Sequence, residues 1–173
     1  MINGRKIVAW CPYGRQRTVS ILINYFRRDV ERGLIDEVWL YLNTDAEQVD
    51  DLRYAYKLKK TYPWVKLKER PAGRPVRKPK QRSTGYAYEY MTDPDTIYLR
   101  FDDDIVYVHE DAIQNLVTAK ITMDNSTLAC FPIIWNNAIC SYFLQKHGKL
   151  PLTWGEVKQA YCMDSVGWAN GYF

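Results

Sequence analysis

Two periods of apolar and polar positions divide this chain. Residues 6–11 (KIVAWC) form a short, nearly unbroken apolar run, the mark of a buried strand. Pro12-Tyr13-Gly14-Arg15 then predicts a loop. Beyond it Val19, Leu22, Ile23, Phe26 and Val30 recur at three- and four-residue spacing. That spacing puts them on one stripe of a helix, and Gly33 suits its C-terminal end. Residues 36–43 (DEVWLYLN) return to a period of two, with Val38, Leu40 and Leu42 on one face of a second strand. Asp45 with Gln48 three residues on reads as a capping box, opening a helix with Val49, Leu52 and Tyr56 inside. After Pro63, residues 64–67 predict a short third strand. Strand, helix, strand, helix, strand is the order of an α/β domain, with a mainly parallel central sheet flanked by helices.

The later part continues the alternation. Residues 83–92 predict a helix with Tyr86, Ala87, Tyr90 and Met91 on its inner stripe, ended by Asp93-Pro94-Asp95. Ile97, Leu99 and Phe101 then alternate with Tyr98 and Arg100 as a strand. After His109 a helix is expected to about residue 121, with Ile113, Leu116 and Val117 inside. Residues 128–135 are a further apolar strand, placed at an edge or a bend by Pro132, and a helix is expected near 138–146. There is no internal repeat and no linker, so residues 1–173 read as a single domain.

Composition narrows the class only a little. The chain has 173 residues, the usual length of one domain, and is 47% hydrophobic, enough for a real core. A net charge of +4 is mild and does not by itself imply nucleic acid. The four cysteines, Cys11, Cys130, Cys140 and Cys162, are far apart with no CxxC pair, which argues against a zinc site and fits a reducing compartment. The chain opens Met-Ile-Asn-Gly-Arg-Lys straight into a strand, without a signal peptide or a bilayer-spanning apolar run. The expected location is the cytoplasm.

The candidate chemistry lies in Asp102-Asp103-Asp104, three consecutive carboxylates at a strand end. Like charges so close repel, and a fold keeps them where a cation neutralises them or water reaches them. Hard divalent cations take oxygen ligands, often carboxylates together with substrate phosphates. The run therefore reads either as a metal-assisted site for a phosphorylated ligand or as a solvated strand-to-helix turn with a helix cap. Upstream lies a basic tract: Lys66, Lys68, Arg70, Arg74, Arg77, Lys78, Lys80 and Arg82, with Pro71, Pro75 and Pro79. It reads as a solvated loop, as a cationic rim for phosphates, or as a single-strand binding surface with Tyr86, Tyr88 and Tyr90. The last is disfavoured because a period of two does not share a helix face.

In three places the chain resembles GT-A-type glycosyltransferases that use nucleotide sugars. These are the apolar first strand ending in Cys11-Pro12-Tyr13-Gly14-Arg15, the basic Lys78-Pro79-Lys80-Gln81-Arg82, and the DxD motif Asp102-Asp103-Asp104. The resemblance implies a single GT-A-like, Rossmann-like domain that uses Mn2+ or Mg2+. It implies that Asp104 is the main metal ligand with Asp102 assisting. Asp102 and Asp103 would reach the ribose, the sugar or metal-bound water. Pro12 and Tyr13 would hold the base, and Arg15, Lys78 or Lys80 the diphosphate. Residues 1–110 would be the nucleotide-sugar half and 111–173 the acceptor half, in a compact member or in one domain cut from a longer protein. The partners implied are a nucleotide-sugar donor and a glycan or other hydroxyl acceptor, with no nucleic acid. An inverting enzyme also needs a carboxylate base on the acceptor side. Asp164 is the first candidate and Glu156 the second, since the apolar neighbours of Asp164 could raise its pKa.

Other classes compete. Asp102-Asp103-Asp104-Ile105-Val106 also fits the DxDx[TV] pattern and resembles aspartyl-phosphate phosphatases in those positions, with Asp102 as nucleophile and Asp104 as acid/base. That family carries its motif on the first strand, whereas two strand-helix units precede it here. A basic nucleic-acid-binding module is the non-enzymatic alternative. The glycosyltransferase resemblance also implies, in some members, a late histidine on the metal, for which His109 and His147 are the candidates, although His109 reads more naturally as a polar surface residue. Trp154 and Trp168 read as packing, with Trp154-Gly155-Glu156 a candidate lining of an acceptor site.

Overall fold

A computed structural model describes residues 2–75 and 80–123, and for 80–82 the backbone alone. Among the described residues four strands form one sheet: β1 (Lys6–Tyr13), β2 (Glu37–Leu42), β3 (Val65–Lys68) and β4 (Thr96–Arg100). Their order is β3-β2-β1-β4, and every pair is parallel. The helices are α1 (Gln16–Glu31), α2 (Val49–Thr61) and α3 (Ala112–Thr122), with a 3-10 helix at Lys80–Tyr90. The fold is therefore α/β and Rossmann-like, with a parallel central sheet flanked by helices. Among the described residues no helix is long and apolar enough to cross a membrane.

Alternation along the strands sorts side chains into two layers. Ile7, Ala9, Cys11 and Tyr13 of β1 meet Val38, Leu40, Val65 and Leu99 in one core. Val19, Leu22, Ile23 and Phe26 of α1, Ala55 and Leu58 of α2, and Ile113 and Val117 of α3 cover that face. The opposite parity, Trp10, Trp39, Tyr41 and Tyr98, packs under Tyr86, Ala87 and Tyr90 of the 3-10 helix. The α1 stripe is as its spacing predicts, and Gly33 takes the left-handed φ of +73° that ends the helix.

The structure corrects four local expectations. The first strand does not stop at Cys11 but runs on through Pro12 to Tyr13. Trp10 O accepts from Phe101 N on the β4 side, while Tyr13 O accepts from Asn43 N on the β2 side. Pro12 shares the parity of Trp10, so its missing N–H faces the side that β4 has already left. Tyr13 is thereby a core residue, fully buried, its hydroxyl donating to Asp51 O at 2.6 Å. In α2, Val49 and Tyr56 are exposed rather than inside, because the buried phase runs through Ala55 and Leu58. The Gln48 side chain does reach back to Asp45 N at 3.0 Å, as a capping box requires. Finally, the segment before β4 is a 3-10 helix, in which residues three apart eclipse. Its Ser83 carbonyl accepts from the Tyr41 hydroxyl at 3.1 Å.

Candidate functional site

Parallel sheets bind ligands beyond the carboxyl ends of their strands, where the strand order reverses. Here β1, β2 and β3 run outward in one direction, and β4 lies on the other side of β1. The reversal point is thus the gap between the ends of β1 and β4. The chain leaves β1 there as Gly14-Arg15 and leaves β4 as Phe101-Asp102-Asp103-Asp104. Among the described residues, the acidic run falls at this reversal point.

The three carboxylates are not equivalent. Asp103 is buried, Asp104 half exposed and Asp102 mostly exposed. Arg15 sends Nε and Nη2 to the same Oδ1 of Asp103, Nε at 3.1 Å, and Nη2 also lies 3.2 Å from Asp104 Oδ2. The bond to Asp103 holds the Arg15 guanidinium more firmly protonated than usual. Asp102 Oδ1 instead accepts from Arg100 Nη2 at 3.2 Å. Burial opposes the charge on Arg100, yet Tyr88 and Asp102 keep it protonated, and the Trp10 ring lies 5.5 Å beneath it. Two arginines thus face three acids and offset only part of their charge. Gly14 is packed against the cluster, since a Cβ there would stand 3.1 Å from Asp103 Oδ2.

An all-oxygen donor set suits a hard divalent cation. Asp104 Oδ1 and Asp102 Oδ2 have no hydrogen-bond partner among the described residues, so both are available to one. As they stand, Asp103 and Asp104 face Arg15 and Asp102 faces Arg100, and no group of three described His, Cys, Asp or Glu side chains converges on a metal position. The donor chemistry fits the cation, and Arg15 now bridges Asp103 and Asp104.

Beside the cluster an open groove of about 470 Å³ is lined by Arg15, Gln16, Arg17, Thr18, Ile21, Asp51 and Val106. It lies at the N-terminus of α1, where Gln16 N donates to Asp51 Oδ1 at 2.7 Å. Thr18 Oγ1 is buried there without a hydrogen-bond partner among the described residues. Buried hydroxyls are normally satisfied, so this one marks a place for an additional polar group.

Of the residues singled out in the sequence, the structure brings together Arg15, Asp102, Asp103 and Asp104. Pro12 is half-buried beside them. The buried Tyr13 ring would not touch a ligand in this groove. His109 is exposed, and its Nδ1 accepts from Asp111 N at 3.2 Å, a turn contact that fits a polar surface residue. Lys78, Glu156, Asp164, His147, Trp154 and Trp168 lie outside the described residues, as do the strand at 128–135 and the helix at 138–146. Lys80 has only its backbone described. Sequence reasoning included Gly14 in the first loop but missed Arg100, Asp51 and Thr18. Arg100 had a readable signal: it stands two residues before Asp102, on the same side of an extended chain. No protein-family model, curated protein or solved structure matches this chain.

Proposed function

We propose that this protein is a metal-dependent glycosyltransferase that moves a sugar from a UDP- or GDP-type sugar nucleotide to a glycan or other hydroxyl acceptor. The observation that carries the reading is the position of Asp102-Asp103-Asp104 beyond β4, at the point where the strand order reverses. A bound Mn2+ or Mg2+ would neutralise charge on the departing diphosphate.

The chain's own residues would do the rest. Asp104 offers the accessible oxygen for the cation, with Asp102 assisting from the same loop. Arg15, half exposed and already beside the acids, can turn its guanidinium fork to a diphosphate, with Lys78 or Lys80 as further cations. Buried Asp103 is held in one place by Arg15 and Gly14, which suits an acceptor of ribose or sugar hydroxyls. The backbone of Pro12 to Arg15 leads from β1 to the groove at Arg15 and would receive the base. In an inverting reaction Asp164, or failing it Glu156, would take the proton from the acceptor hydroxyl. The wide cysteine spacing favours the cytoplasm, and the mild charge gives no reason to expect nucleic acid as a partner.

The test is single-turnover transfer from UDP- and GDP-sugars to oligosaccharide acceptors with added Mn2+. Asp164→Asn is expected to keep donor affinity and lose on the order of a hundredfold or more in rate, the scale of general base catalysis. Near-normal turnover of that variant would remove Asp164 from the mechanism. Release of phosphate from simple phosphoesters instead of sugar transfer would replace the proposal with a phosphatase.

A further inference from the structure

The pairing of Arg15 with Asp103 and Asp104 has a consequence for the order in which ligands bind, and it rests on the metal-dependent reading above. Arg15 touches Asp103 through Nε and Nη2 and reaches Asp104 through Nη2. A divalent cation on Asp104 would sit on a carboxylate whose Oδ2 now faces this guanidinium. The guanidinium and a metal on the same carboxylate repel each other, and that repulsion is only partly screened at a half-exposed site. The Arg15 side chain is 55% exposed, so it has room to leave, while Asp103 is only 12% exposed and stays where it is. Gly14 next to it lets the loop lie close against Asp103.

We propose that Arg15 is a built-in counter-ion that competes with the divalent cation and is drawn off by the donor's diphosphate. Without nucleotide, Arg15 offsets part of the charge on Asp103 and Asp104 and keeps metal affinity low. A diphosphate offers the guanidinium a better bidentate partner, and the carboxylates are released to the metal. Metal and nucleotide then bind cooperatively, each raising the other's affinity by the same factor. Arg15 is on this account a positioning residue that couples two ligands, beyond its contact with the phosphates.

The experiment measures Mn2+ binding by the loss of the free-ion electron paramagnetic resonance signal, with no nucleotide present. Arg15→Gln is expected to bind Mn2+ about tenfold more tightly than the parent, the scale of a charge-assisted pair at a partly exposed site. Arg15→Lys keeps the charge beside buried Asp103, guarding against a folding defect, and should fall between the two. The same Arg15→Gln variant should bind UDP or GDP more weakly, so the two affinities move in opposite directions. Mn2+ affinity that is unchanged or weakened in Arg15→Gln, with nucleotide-dependent Mn2+ binding intact in the parent, overturns the competition and leaves the transferase reading standing. Absence of Mn2+ binding in the parent and both variants, with and without UDP or GDP, overturns both.

Discussion

The Cys11 thiol shows how far the acid cluster reaches into the core. It is fully buried on β1, and burial first, then the charges of Asp103, Asp102 and Asp104, push its pKa well above the ordinary thiol range, with Arg15 opposing. Thiolate is the reactive form, so Cys11 should resist iodoacetamide at mildly alkaline pH in the native protein and label only on unfolding. Peptide mapping checks this, and labelling of native Cys11 at the rate of a free thiol would contradict it. The sign for stability follows. The folded chain keeps a proton that the unfolded chain releases, so this contribution is complete below the ordinary thiol pKa and is lost as pH rises beyond it. At this scale the sequence was readable where charge sat in a run, as in Asp102-Asp103-Asp104. It was not readable where a residue's role depended on a distant partner. Nothing near Arg15 in the chain announces Asp103, and nothing near Tyr13 announces that its hydroxyl ends on Asp51.

Helix α1 ties the site to the loop that follows it. Its buried stripe was legible from spacing alone, but the same face also buries Asp29, which a hydrophobic pattern cannot reveal. Asp29 binds Arg28 through two contacts of 3.0 and 2.9 Å and lies 3.5 Å from Arg32. Arg28 in turn donates to Val108 O at 3.0 Å, and Arg32 to Glu110 O, so this trio anchors the chain between the acidic run and α3. Asp29→Ala should cost about 1.5–3 kcal/mol, the range for hydrogen bonds to charged groups, because both arginines keep access to water. Denaturant unfolding measures it, and a change within about 0.5 kcal/mol, typical of a neutral surface substitution, would show that the anchor does not hold. Other elements departed from their patterns for identifiable reasons. Strand β1 outran Pro12 because its neighbour had already turned away. Helix α2 took its phase from Ala55 and Leu58, leaving Val49 and Tyr56 in water.

For the whole molecule, the parallel α/β architecture was legible because strand and helix periods alternate cleanly through most of the described residues. The strand order β3-β2-β1-β4 was not, since periodicity says nothing about which side of β1 the fourth strand joins. That order gives the acidic run its meaning, because it sets Asp102, Asp103 and Asp104 beside Gly14 and Arg15 across the reversal of the sheet. The central claim is that Asp104 holds a divalent cation for a nucleoside diphosphate there. The direct measurement is thermal unfolding of the wild type and Asp104→Ala with UDP, GDP and related diphosphates, with and without Mn2+. A ligand held by the folded state at about 100 times its Kd adds ~2.7 kcal/mol, which for a chain of this size is roughly 5–10 °C in Tm. The account predicts such a shift in the wild type for at least one diphosphate, only with Mn2+ present, and none in Asp104→Ala. Equal stabilisation of Asp104→Ala, or a shift indifferent to Mn2+, would contradict it.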